Sequence, residues 1–214
     1  MTNIRTYPTD DLIVEYDPAR CIHAKECVKG LPTVFDPTRR PWVDPSLASP
    51  DAVEEVVRRC PTGALHYRRT TGESETPAPT NEVRTAANGP LYIQGRLEIQ
   101  MATGEPAQET RVALCRCGAS ANKPYCDNSH TETGFRDPAT DVPQRLAEGD
   151  APPSPLAVTF VPDGPILVDG TVTVRGSDAS QAVGVRGALC RCGASSTKPF
   201  CDGSHVAAGF QADW

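Results

Sequence analysis

Apolar and polar positions alternate in short runs along this chain, separated by turn-forming residues. Residues 12–16 (LIVEY) read as a strand. Ser49 to Arg59 places Val53, Val56 and Val57 at helical spacing behind a Ser49-Pro50 start, and Ala64 to Tyr67 reads as a closing strand. Two longer β-like runs follow, Leu91 to Ile99 (LYIQGRLEI) and Ile166 to Val174 (ILVDGTVTV), each interrupted by a glycine. The interruption predicts a hairpin in each. Val112 to Leu114 reads as a third strand running into a cysteine loop. An α+β architecture follows, with more strand than helix.

Composition sets the size of the parts. With 38% hydrophobic and 6% aromatic residues, 21 prolines and 17 glycines, the chain predicts several small units with thin cores. The expected division is 1–68, a linker 69–88, 89–137, a connector 138–155, and 156–214. Small units need crosslinks, and nine cysteines are present to supply them. The net charge of −6 and the lack of a basic run exclude the electrostatic footprint of a nucleic-acid binder. Residues 1–10 contain no apolar segment of a signal peptide, and no run approaches a membrane span. The expectation is a soluble, cytoplasmic protein. Thiols stay reduced there, so clustered cysteines point to metal rather than disulfides. An odd count would in any case leave one thiol unpaired.

The cysteines fall in threes: Cys21, Cys27 and Cys60; Cys115, Cys117 and Cys126; Cys190, Cys192 and Cys201. The last two groups are copies, each member recurring 75 positions on (115 to 190, 117 to 192, 126 to 201), and His130 recurs as His205. Gly89-Pro90 recurs as Gly164-Pro165, Gly95 as Gly170, and Gly134-Phe135 as Gly209-Phe210. This is an internal duplication of about 47 residues, 89–135 and 164–210.

Each copy reads Cys-x-Cys-x8-Cys-x3-His. One intervening residue sets two thiolates close together. The Lys-Pro loop turns the chain back, and a histidine four residues after the third cysteine lies one helical turn on, able to face the same metal. Asp127 and Asp202 are placed to cap that short helix. Three thiolates and an imidazole complete the ligand set of a two-iron cluster, two ligands per iron. A Cys3His zinc site is the alternative, although zinc sites generally space their cysteine pairs by two to four residues.

The segments Cys115 to His130 (CRCGASANKPYCDNSH) and Cys190 to His205 (CRCGASSTKPFCDGSH) resemble the CDGSH iron–sulfur family, the mitoNEET group. The second copy matches the signature throughout. The first carries Asn128 where the family has glycine, and Asn is the next most tolerant residue for left-handed backbone. The resemblance covers about half the chain. It implies one [2Fe–2S] cluster per motif under a small β-cap, with redox-active, releasable clusters and the two copies packed as an internal pseudo-dimer. Replacing a fourth thiolate by His130 or His205 makes the cluster less negative and easier to reduce. It also predicts a pH-dependent potential and acid-labile clusters. Lys123 and Lys198, inside the ligand loops, are candidates to raise the potential or dock an acidic partner, beside the plain reading of solvated lysines. Asp127 and Asp202 are counted with them as tuning residues.

In the first third, Cys60-Pro61 ends the expected helix, and Ala24 stands where a four-cysteine ferredoxin loop has its second cysteine. Tyr16 through Phe35 to Cys60-Pro61-Thr-Gly-Ala-Leu65 resembles the divergent single-cluster ferredoxin domain. That implies a ferredoxin-like fold and one cubane-type cluster, [3Fe–4S] on three cysteines or [4Fe–4S] with another fourth ligand. His23 is the nearest candidate, and equally reads as a surface or supporting histidine. A zinc site or free thiols are the alternative. His66 reads as structural.

No Ser/His/Asp order, phosphate loop or recurring carboxylate pair accompanies these sites, and clusters ligated fully by protein leave no substrate position. The expectation is a non-enzymatic iron–sulfur protein for electron transfer or redox sensing. Its partners would be redox proteins or apo-acceptors, with neither nucleic acid nor membrane, and its state a monomer. Cluster storage and transfer is the alternative.

Overall fold

The structure is a computed structural model; it describes residues 3–101, 104–150 and 155–212. The chain forms two compact units, Met1–Thr76 and Pro77–Trp214. No helix among the described residues is long and apolar enough to cross a membrane.

In the first unit, strands β1 (Arg5–Pro8), β2 (Leu12–Tyr16) and β3 (Leu65–Arg69) form an antiparallel sheet in the order β1-β2-β3. The LIVEY strand falls where its alternation placed it, with Leu12, Val14 and Tyr16 buried. Two short helices connect β2 to β3: α1 (Glu26–Gly30) and α2 (Pro50–Arg58). Ser49 caps α2, its hydroxyl accepting from the Ala52 amide, and Pro50 opens the first turn. The valines at positions 53, 56 and 57 enter a core shared with Leu12, Val14, Phe35 and Leu65.

The second unit is built from strands β4 (Glu82–Thr85), β5 (Leu91–Gln100), β6 (Ala107–Leu114), β7 (Leu156–Phe160), β8 (Ile166–Arg175) and β9 (Gln181–Leu189), with one-turn helices α3 (Ser129–Glu132) and α4 (Ser204–Ala207). β6 covers one edge of β5. The other edge is divided: β4 pairs antiparallel with Leu91 to Gln94, and β7 pairs parallel with Leu97 to Gln100. β8 is treated the same way, with β9 on one edge and, on the other, β7 at Ile166 to Asp169 and β4 at Thr173 to Arg175. Each leading strand therefore pairs with both copies. β4 and β7 are themselves 75 positions apart (82–85 against 157–160), so the repeat begins before residue 89.

Two expectations are corrected here. β5 and β8 are continuous strands rather than hairpins, and each glycine marks a β-bulge with a register shift. Gly95 has φ +138°, and a Cβ there would lie 2.2 Å from the Asn81 side-chain oxygen. Alternate residues stay buried across the bulge: Leu91, Ile93, Leu97 and Ile99 in β5, and Ile166, Val168, Val172 and Val174 in β8. Nor are the intervening segments plain linkers. Stretch 69–88 contains β4, and stretch 138–155 sends Val142 and Leu146 into the core, while its residues 151–154 lie outside the described residues. Ala147 pairs with Arg186 of β9, and Leu146 packs where a Cβ on Gly184 or Gly187 would lie.

Candidate metal centres

The strands deliver the duplicated cysteines. β6 ends at Leu114 and β9 at Leu189, so Cys115 and Cys190 leave the sheet at its edge. The ligand loop returns alongside: the Cys115 amide donates to Pro124 O (2.9 Å) and Cys126 N to Ala113 O (2.9 Å), with the same pair of bonds at Cys190 and Cys201. Asn128 and Gly203 take the left-handed backbone, φ +74° and +88°, that turns the chain into the one-turn helix. The asparagine substitution in the first copy leaves that turn intact.

In each copy the four side chains come as two pairs. Cys115 and Cys117 sulfurs lie 3.6 Å apart, and Cys126 Sγ lies 3.5 Å from His130 Nδ1. The second copy repeats this at 3.7 Å for Cys190 and Cys192 and 3.4 Å for Cys201 and His205. Thiolates on one tetrahedral metal, with bonds of about 2.3 Å, sit about 3.8 Å apart, and a thiolate–imidazole pair about 3.5 Å. Each pair lies at the separation of two ligands on one metal. Among the described residues no three or more Cys, His, Asp or Glu side chains converge on a single ion.

The local electrostatics fit a cationic guest. A bond from Cys117 holds the Cys115 thiol below its ordinary value, with help from the amides of Ser120, Gly118 and Cys117, while the same bond and burial push Cys117 up. Cys190 and Cys192 behave alike. Burial pushes the Cys126 thiol up to about 11, with Cys115 adding to the rise. Cys115 and Cys190 ionise readily while Cys117, Cys192 and Cys126 resist, so metal binding there would release protons from the resisting thiols. The inward-pointing amides then remain as hydrogen-bond donors to sulfur.

Asp127 and Asp202 hold these loops. Asp127 accepts from the Ser129 amide (3.0 Å) and hydroxyl (2.6 Å) and, through its other oxygen, from Ala121 N (2.8 Å). Asp202 bonds Ser204 N (3.0 Å) and Ser196 N (2.8 Å). Both carboxyls sit below the usual range; burial opposes the shift at Asp127, and the Ser129 hydroxyl leads the groups that lower it, as the Ser204 hydroxyl does at Asp202. The helix caps expected at Asp127 and Asp202 fall instead at Asn128 and Gly203, and the aspartates, one position earlier, tie the helix start to the loop. Lys123 donates to Ser120 O at 2.7 Å and Lys198 to Ser195 O, so both ammonium groups close their own loops.

The arginines between the paired cysteines were missed by the sequence reading; their one signal was recurrence inside both motifs. Arg116 is among the largest fully buried side chains. It donates to Gly89 O (2.6 Å) and Ala86 O, ion-pairs with Asp137, and lies 5.0 Å from the Phe135 ring centre. Arg191 donates to Gly164 O (2.7 Å), Val161 O and Ala212 O (3.3 Å), with the Phe210 ring at 5.2 Å. Ala212, the 75-position counterpart of Asp137, offers Arg191 a carbonyl in place of a carboxylate, and Asp163 lies near enough to stabilise the Arg191 charge. The two motifs meet at a bridge between Cys117 and Cys192. There a Cβ on Gly118 would lie 2.7 Å from Cys192 O, and one on Gly193 2.8 Å from Cys117 O.

In the first unit Cys21, Cys27 and Cys60 line one small cavity, together with Ala24 and Thr62. Cys21 follows a 3-10 turn, Pro18–Arg20, capped by Asp17; Cys27 lies in α1; Cys60 follows α2, where its amide donates to Val57 O (3.0 Å). Thr62 Oγ1 lies 3.5 Å from Cys60 Sγ. Burial, then Cys60 and Cys21 nearby, push the Cys27 thiol up to about 11. Three thiols lining one cavity are the candidate ligands of an iron–sulfur cluster in this unit. His23 does not line this cavity; it is exposed, with left-handed backbone (φ +57°), on an outer cleft. His66 pairs with Glu75 at 2.9 Å.

Three cysteine centres of these geometries define an iron–sulfur protein. The comparisons with known proteins agree. The family described as "Divergent 4Fe-4S mono-cluster" matches residues 7–70, and "Iron-binding zinc finger CDGSH type" matches twice, at 88–131 and 163–206. The chain belongs to the divergent 4Fe-4S mono-cluster family in its first third, followed by two CDGSH-type iron-binding domains. Its curated relatives include the uncharacterized protein YjdI of Escherichia coli strain K12 and of strain O157:H7. Each is 36% identical over 64 residues, covering 30% of this chain and 84% of the relative. No solved structure matches.

Proposed function

We propose that this chain carries electrons, or reports redox conditions to a partner, through three clusters. Cys115, Cys117, Cys126 and His130 hold one [2Fe–2S] cluster and Cys190, Cys192, Cys201 and His205 a second. Cys21, Cys27 and Cys60 hold a [3Fe–4S] or [4Fe–4S] cluster in a ferredoxin-like unit. The observation that carries this reading is the division of each duplicated ligand set into two pairs at metal-spanning distance, 3.6 and 3.5 Å in the first copy. When bound, such clusters supply reversible one-electron chemistry.

The protein's part is to hold and tune. The loop amides around Cys115 and Cys190 donate to sulfur and favour the reduced, more negative state. The crossed pairing of β4 and β7 supports an internal pseudo-dimer. Full protein ligation of the duplicated sites favours a carrier over an enzyme, serving redox proteins in the cytoplasm as a monomer. The half-buried His130 and His205 favour one second reading, delivery of clusters to apo-acceptors.

The test is absorbance, EPR and iron and sulfide counts on anaerobically purified protein. About seven or eight irons, with two binuclear signals and one cubane-type signal, are expected. Zinc without sulfide refutes the proposal. Rapid reversible reduction without cluster loss supports carriage; transfer of clusters to an apo-ferredoxin supports delivery.

A further inference from the structure

Outside the cysteine cavity the first unit has a wide cleft of about 700 Å³. That volume is in the range of small-molecule sites, about 300–1,000 Å³. Three aromatic side chains line it, Tyr7, Tyr16 and Trp42. Trp42 is held from behind: Tyr16 meets it edge-on at 4.9 Å between ring centres, and the fully buried Phe35 at 6.1 Å. The ring is anchored yet only half-buried, as a stacking platform should be.

The charge of the cleft runs against that of the chain. Arg5, Lys25 and Arg40 line it, and no aspartate or glutamate does among the described residues, in a protein with 27 acidic and 21 basic residues. Arg40 is fixed by bonds to Pro37 O (3.0 Å) and Arg39 O (2.7 Å), both made by Nη1. His23 and Lys25 hold left-handed backbone, φ +57° and +65°, at this wall. Two neighbouring non-glycine residues in that region are costly, and such strain collects at binding sites. Tyr16, Cys21, Lys25, Cys27 and Trp42 line both the cleft and the inner cavity, so the cleft adjoins the cysteine site.

We infer that the cleft binds a small planar aromatic anion, a ring bearing phosphate of the nucleotide class. The ring would lie on Trp42, and the phosphate against Arg5, Lys25 and Arg40. The cleft adjoins the proposed cluster of this unit, and the inference holds whichever cluster Cys21, Cys27 and Cys60 carry.

Binding to the purified full-length protein tests it, with flavin mononucleotide as the probe for ring plus charge, riboflavin for the ring alone and inorganic phosphate for the charge alone. Equilibrium dialysis should show the mononucleotide binding at least about tenfold more tightly than either part. The double variant Arg5→Gln/Arg40→Gln should remove its advantage over riboflavin, and Trp42→Leu should weaken both flavins while leaving phosphate unchanged. No saturable binding of the mononucleotide, or binding that ignores the two arginines, overturns the inference. Iron and sulfide counts on the same samples judge the cluster reading separately, and circular dichroism shows whether each variant is folded.

Discussion

The buried Arg116–Asp137 pair makes a sharp test of how the duplicated copies are held. The side chains are 1% and 12% exposed, and Asp137 also accepts from Ala139 N at 2.9 Å. Removing one partner of a buried pair costs about 3–5 kcal/mol, because the other charge stays behind. Arg116 would keep its bonds to Gly89 O and Ala86 O, so Asp137→Ala should cost about 3 kcal/mol, the lower end of that range. With a urea slope of about 2–3 kcal/mol per molar, the midpoint should fall by about 1 M. The second copy shows how to recover the loss. There Ala212 faces Arg191, and the acid sits at Asp163, the counterpart of Asn88, accepting from Ala212 N at 2.7 Å. Asn88 already accepts from Asp137 N at 2.8 Å in the same way. Asn88→Asp with Asp137→Ala should therefore regain at least half the loss. The assay is urea unfolding of samples matched in iron content. A single variant within about 0.3 M of the parent, or a double variant no better than the single, refutes the reasoning.

Other outcomes follow from the same structure. Gly95→Ala places a methyl against Asn81 at a backbone angle open to glycine, and should cost at least about 2 kcal/mol in thermal or urea unfolding. Cys126→Ser and Cys201→Ser should each remove about two irons and one binuclear EPR signal, leaving the cubane-type signal unchanged. Asp178 is held down at about 2, chiefly by the Ser180 hydroxyl and then by the Asp141 amide. Its contribution to stability should be full above the ordinary carboxyl value and lost as pH falls through about 2, and Asp178→Asn should flatten that part of the acid-unfolding curve.

Much of this could be read from the residues. The LIVEY strand, the Ser49-capped helix and the strand ending at Val112 to Leu114 follow from alternation and capping, which are local signals. The duplication made the paired cysteines and histidines legible as candidate ligands, because a chance spacing does not occur twice. Gly95 and Gly170 were misread because a glycine within an apolar run looks the same whether it turns the chain or bulges it. Asn81, the partner that decides, is 14 positions away. β4 was hidden by its polar sequence, Glu-Val-Arg-Thr, in which Val83 is the one fully apolar residue. Val142 and Leu146 are isolated apolar positions among prolines and acids, and tertiary packing, against β9 in the case of Leu146, makes them core. Arg116 and Arg191 were passed over because charge inside a loop usually faces water.

The shared pairing of the leading strands sets how these halves can evolve. In an assembly of identical subunits every substitution appears twice, so a change that suits one site must also suit its mate. Joining both halves in one polypeptide removes that constraint while the exchanged edges keep the halves inseparable. Asn128 opposite Gly203, and Asp137 opposite Ala212, are divergences of this kind. A covalent pair of this sort can specialise its two sites without losing either.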